Sequence, residues 1–141
     1  METIEVLPDG GERYLIGIRG HQIAVDQPGD GGGADTAPSP TELFVAGLVS
    51  CVAYYAGRYL TRHRLSRDGM RVTGSWEFAT DRPARVSVVK IEITPPVDLP
   101  ADKVPALLAV AGHCTVHNSI VQEPEISIDV VAAAPARSGG A

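Results

Sequence analysis

The chain has 141 residues, 12 lysines and arginines against 17 aspartates and glutamates, and a formal net charge of −5. That length fits one domain, and the acidic balance argues against nucleic acid or an anionic membrane surface as partner, since both need a basic face. Apolar residues make up 44% but aromatic ones only 5%, so Ala, Val, Ile and Leu must build the core.

The N-terminus, METIEV, has neither the basic start nor the apolar run of a secretory leader. The longest near-apolar stretch, 43–57, is shorter than the roughly 20 residues a bilayer span needs. A cytoplasmic protein with no membrane partner is expected.

Residues 3–7 and 13–18 predict short strands parted by the turn signal Pro8-Asp9-Gly10-Gly11. Residues 21–26 predict another strand, and Arg19-Gly20 fits a tight turn, so 13–26 reads as a hairpin. Residues 27–38, rich in Gly, Asp, Pro and Ala, read as a mobile loop. At Ser39 the pattern changes. Ser39 can cap a helix, Pro40 suits its first position, and Glu42 completes a capping box.

This helix is expected to run to about Arg62, with Arg58, Arg62, His63 and Arg64 at the end that favours cations. Its first half is apolar on nearly every side, from Leu43, Phe44 and Val45 to Val52 and Tyr54. A helix apolar all round is buried all round. One small sheet cannot wrap it, so it needs cover from more than one layer, which a second subunit could supply.

Residues 71–80 and 85–94 predict two long strands joined at Asp81-Arg82-Pro83, and Pro95-Pro96 stops the second. A second helix is expected from Asp98 or Leu99 through Leu107, Leu108 and Val110 toward Cys114. Pro105 lies near enough to its start to be tolerated. Ile126, Ile128 and Val130, alternating with Ser127 and Asp129, predict a last strand. Residues 132–141 read as a disordered tail. The expectation is a single domain over 1–131 of the α+β class, with mostly antiparallel sheet.

Two cysteines, Cys51 and Cys114, are too few for a disulfide scaffold. Each is either a small hydrophobe in the core or, should the two face each other, half of a redox pair. In such a pair a thiolate attacks a peroxide, becomes a sulfenic acid and condenses with the second thiol. The thiolate would need a nearby cation, for which Arg19 is a candidate, although a turn arginine is usually just solvated. Glu42 has its capping role, and could also hold a guanidinium through a bidentate pair. His113 and His117 are four apart around Cys114, but no metalloprotease signature or carboxylate accompanies them, so no metal is expected. Residues 29–33, GDGGG, lack a Walker lysine, and no GxSxG elbow is present. No cofactor is expected.

The run from Pro38 to Cys51, PSPTELFVAGLVSC, resembles the PxPxELxxAxxxxC helix of the OsmC/Ohr family. Arg19-Gly20-His21 with Val25-Asp26-Gln27-Pro28 resembles that family's N-terminal hairpin, and Cys114-Thr115-Val116-His117-Asn118 its second-cysteine segment. The resemblance implies an OsmC-like fold, with antiparallel sheets wrapped around a long buried helix in an intertwined homodimer. It also implies a thiol peroxidase that prefers organic hydroperoxides and is reset by a thiol reductant, such as a dihydrolipoyl protein. By position, Cys51 would be the peroxidatic nucleophile, Cys114 the resolving thiol and Arg19 the group that stabilises the thiolate.

Two positions depart from the hydroperoxide-resistance branch. There the glutamate directly follows the helix proline; here Thr41 does, and Glu42 comes one later, turned by about 100° on the helix. Glu42 could thus anchor Arg19 or only cap. Thr115 stands where a proline often follows the second cysteine. The alternative to the peroxidase is an OsmC-like dimer that binds a small apolar ligand and whose thiols are inert.

Overall fold

Short alternating runs parted by tight turns pair with their neighbours in sequence, and the first three strands do so. The computed structural model describes residues 1–133. In it Ile4–Pro8 (β1), Tyr14–Ile18 (β2) and His21–Val25 (β3) form an antiparallel sheet in the order β1-β2-β3. Ile18 faces His21 across the Arg19-Gly20 turn. Arg19 takes up a left-handed φ of 54° there, uncommon for a residue with a Cβ.

Residues 27–38 are not the slack loop expected. Asp26, only 2% exposed, accepts hydrogen bonds from Gln27 N (2.8 Å), Thr36 N (3.0 Å) and Thr36 Oγ1 (2.7 Å). Arg13 Nη1 donates to the same Thr36 hydroxyl, and Asp26 N donates to Pro38 O. A buried carboxylate needs such donors, and in recruiting them it draws the two ends of the loop together.

The capping box forms as predicted. Glu42 N donates to Ser39 Oγ (3.2 Å) and Ser39 N to Glu42 Oε2 (2.7 Å), opening α1 over Pro40–Arg62. Its 23 residues are long and apolar enough to cross a bilayer by length and hydropathy. In the fold, though, α1 is a core helix, packed on the antiparallel pair Arg71–Phe78 (β4) and Val86–Thr94 (β5) and on α2, Val104–Ala111. Gly74 permits the closest approach, since a Cβ there would collide with Val49 Cγ2. Leu48, Val52, Ala56, Tyr59 and Leu60 of α1, with Leu107 and Ala111 of α2 and Cys114, form the core.

Three expectations are corrected. The second helix does not run to Cys114. It ends at Ala111, Gly112 follows as its C-cap, and a third helix, α3, spans Thr115–Val121. Residues 126–130 form no strand, and Ile128 is 91% exposed. A strand needs a neighbour for its backbone groups, and among the described residues no sheet edge pairs with it. Nor is α1 buried all round within one chain: Phe44 and Tyr54 remain exposed, Phe44 beside Phe78 and Val86 at the end of the β4–β5 pair. Residues 132 and 133 are exposed and irregular, and the rest of the expected tail lies outside the described residues.

The hydrogen bonds from Thr36 N–H, then the Thr36 hydroxyl and Gln27 N–H, outweigh burial and hold the Asp26 carboxyl below its ordinary value. A depressed carboxylate stabilises the fold above its unfolded pKa, and that contribution is lost as pH falls through the folded pKa. Asp26→Asn is therefore expected to lower the thermal midpoint at neutral pH and to flatten its decline on acidification. Melting curves across the acid range check this; a decline as steep as that of the unsubstituted protein would refute it.

Candidate functional site

Cys51 lies three turns into α1, half-buried on the side that meets α3. Cys114 reaches it because α2 stops at Ala111 and the chain turns back toward α1. With φ −70° and ψ 155°, Cys114 is extended and is the N-cap of α3. Its sulfur accepts from His117 N at 3.3 Å, and the side chain is fully buried. The residue after this cap meets the other cysteine: Thr115 Oγ1 lies 3.5 Å from Cys51 Sγ. Residues 64 apart in sequence thus meet at one point.

The two thiols are driven in opposite directions. Burial disfavours the Cys51 thiolate. Hydrogen bonds from the Thr115 hydroxyl, Val116 N–H, the Cys114 thiol and Thr115 N–H together outweigh it, so Cys51 lies below the ordinary thiol value. Burial also dominates at Cys114, and there it prevails. The His117 N–H works against it, while the hydrogen bond to Cys51 and the charge of Cys51 add to it, so Cys114 is raised. The pair therefore sets a half-exposed thiol whose ionisation is favoured beside a buried thiol whose ionisation is disfavoured. Both cysteines are free. The thiolate is the reactive form of cysteine, so this arrangement suits nucleophilic attack at Cys51 followed by condensation with Cys114.

The other expected site residues are not drawn in by this chain alone. Arg19 stands at the β2–β3 turn, beside residues 1–5 of the N-terminal segment. Among the described residues no hydrogen bond or ion pair links it to Cys51 or Glu42, and the sheet that carries it packs little on α1. Glu42 caps α1 through Ser39 N. His113 and His117, expected on one helix face, are parted: His113 falls in the α2–α3 turn and His117 on α3, and His113 Nδ1 lies 2.6 Å from Ala109 O. Among the described residues no group of three or more His, Cys, Asp or Glu could hold a metal ion.

Sequence reasoning missed the part played by Thr115 and by the whole of α3. Gly112 was the available signal, as a residue that stops a helix just ahead of Cys114. It also missed an apolar cavity of about 270 Å³ between α1, β5, α2 and α3, lined by Leu48, Val52, Val89, Ile91, Leu108 and His117 among others. Leu48 is one turn before Cys51, and His117 Nδ1 is buried without a partner.

With one thiol lowered and half-open and the other raised and enclosed, limited iodoacetamide at neutral pH is expected to alkylate Cys51 well before Cys114. Peptide mass spectrometry over a time course reads this directly. Equal labelling, or Cys114 first, would contradict the site's polarity.

Comparison with known proteins identifies the family and the fold. The OsmC-like protein family matches residues 31–129, while no curated protein sequence matches. A solved structure from Psychrobacter arcticus, named for an osmotic stress induced and detoxification response, is 29% identical with a TM-score of 0.77, covering 84% of this chain and 88% of its own. OhrB of Bacillus subtilis, an organic hydroperoxide resistance protein, is 19% identical with a TM-score of 0.60, covering 83% and 89%. An organic hydroperoxide resistance protein OsmC from Legionella pneumophila, also 19% identical, has a TM-score of 0.59 and covers 85% and 88%. The family model spans most of the chain, and the chain belongs to the OsmC-like family.

Proposed function

We propose that this protein is a thiol-dependent hydroperoxide reductase with Cys51 as peroxidatic and Cys114 as resolving cysteine. The observation that carries the reading is the opposed pair: a lowered, half-open Cys51 thiol against a raised, buried Cys114 thiol. The Cys51 thiolate attacks the terminal peroxide oxygen, the O–O bond breaks, and the alkoxide leaves and takes a proton as the alcohol. Cys51 is then a sulfenic acid. The Cys114 sulfur attacks it, water leaves, and a Cys51–Cys114 disulfide forms. An external dithiol, of the dihydrolipoyl kind, returns two electrons and two protons and restores both thiols. The apolar cavity beside Leu48 and Val52 would suit the alkyl part of an organic hydroperoxide, and OhrB and the Legionella protein are named for resistance to such compounds.

The working unit in this reading is an intertwined cytoplasmic homodimer. The exposed apolar side of α1, the outward Ile4, Val6 and Leu7 of β1 and the unpaired 126–130 segment are the surfaces a second copy would cover. The partner's Arg19 would then reach Cys51 and orient the peroxide. The left-handed backbone at Arg19 supports a role beyond a solvated turn, since such strain clusters at functional sites. Glu42 would hold that guanidinium with the oxygen its cap leaves free.

A second reading, small-ligand binding with inert thiols, is favoured by one observation, the unpartnered His117 Nδ1 at the same cavity.

Thiol counting separates the two. Reduced protein given a slight excess of an organic hydroperoxide is expected to lose both thiols and yield a Cys51–Cys114 crosslink, faster than with hydrogen peroxide. Cys51→Ser should abolish peroxide consumption, and Cys114→Ser should allow one turnover without the crosslink. Survival of both thiols in excess of either oxidant would sink the peroxidase reading and leave the ligand.

A further inference from the structure

Thr115 is the first residue of α3, and the Cys114 cap fixes where its side chain stands. A threonine inside a helix commonly turns its hydroxyl back to the carbonyl of the preceding turn. At the first helical position no preceding turn exists, and among the described residues Cys51 Sγ is the one hydrogen-bond partner of Thr115 Oγ1, at 3.5 Å. The reach is within that of a hydroxyl donating to sulfur. Thr115 is also exposed, so its hydroxyl is not demanded by the core. Proline, which often follows the second cysteine in the resembling family, has neither hydroxyl nor N–H and could make no such bond.

We propose that the Thr115 hydroxyl is a catalytic donor in this protein, giving its proton to a hydrogen bond on the Cys51 sulfur and holding that sulfur as the attacking anion. The assignment deepens the peroxidase reading and rests on it for its purpose, though not for its measurement. A neutral donor within the same chain does part of what a cation would do. The thiolate is therefore favoured by groups of this chain alone, which leaves an arginine brought by a second subunit to act on the peroxide. The direction of the Cys51 shift agrees, with the Thr115 hydroxyl first among the groups that lower it. The other titratable and charged groups on these elements are Cys114 at the cap, His117 on α3, His113 in the α2–α3 turn, Arg71 and Glu77 on β4, Lys90 and Glu92 on β5, and Glu42, Tyr54, Tyr55, Arg58, Tyr59 and Arg62 on α1.

The test is the pH dependence of Cys51 alkylation by iodoacetamide, resolved from Cys114 by peptide mass spectrometry, in the full-length protein and in Thr115→Val and Thr115→Ser. Loss of one hydrogen bond to a charged group is expected to raise the Cys51 midpoint by about one pH unit in Thr115→Val, a roughly tenfold slower reaction below the midpoint. Thr115→Ser, which keeps the hydroxyl, should stay within about twofold of the unsubstituted protein. A Val profile that superimposes on the unsubstituted one, or a Ser profile displaced as far as Val, would overturn the assignment. Thr115→Ala replaces Val in the comparison should Val unfold the protein. The unsubstituted protein is assayed in parallel with an organic hydroperoxide. If it leaves the peroxide intact while Val still shifts the midpoint, the peroxidase reading fails and the donor stands. If it consumes peroxide and Val shifts nothing, the reverse holds.

Discussion

A long helix whose first half is apolar on nearly every side has to be covered, and most of this structure follows from how that is done. The strands β4 and β5 take one side of α1, and α2 and α3 close over it near Cys51. Covering the helix is also what brings Cys114 to Cys51. The two cysteines are neighbours because the packing that hides Leu48, Val52 and Ala56 needs a chain reversal after Ala111. Site and core are therefore not separable here. The buried thiol belongs to the hydrophobic cluster, and the half-open one sits at its margin.

The features legible in the sequence were those written locally. Ser39-Pro40-Thr41-Glu42 specifies a helix start by bonds within four residues, and the structure forms both of them. The first hairpin and the β4–β5 pair depend on alternation and tight turns, and they match to within two residues or so. Less legible were features that depend on distant atoms. Cysteine is not an expected helix cap, so the start of α3 was invisible until its sulfur was seen to accept from His117 N. Residues 27–38 looked slack because glycine dominates their composition. What tightens them is one carboxylate at Asp26, whose partners stand up to 10 residues away. The alternation of 126–130 is real, but a strand is a relation between two segments, and the second is missing from a single chain.

The same division runs through the site. The family motif singles out both cysteines, which the fold brings into one neighbourhood, whereas Arg19 and Glu42 remain apart in one chain. Between them the structure interposes groups that carry no formal charge: a hydroxyl, two backbone N–H groups and a thiol, all directed at Cys51. Neutral donors in a partly buried setting are less screened than a surface cation and need no ordering of a long side chain. Thr115, which in the sequence reads only as a departure from a family habit, becomes in three dimensions a near neighbour of the Cys51 sulfur.

The cap of α3 has one more consequence. Its acceptor is Cys114 Sγ, the sulfur that a disulfide to Cys51 would consume. By linkage, whatever the cap contributes to the dithiol form is a bias against the oxidised one. A helix cap is worth about 1 kcal/mol, and for a two-electron couple that corresponds to a reduction potential raised by about 20 mV. In the proposed reaction, a helix that starts on the resolving sulfur would work as a weak spring: oxidation would strain it, and the return to two thiols would release it.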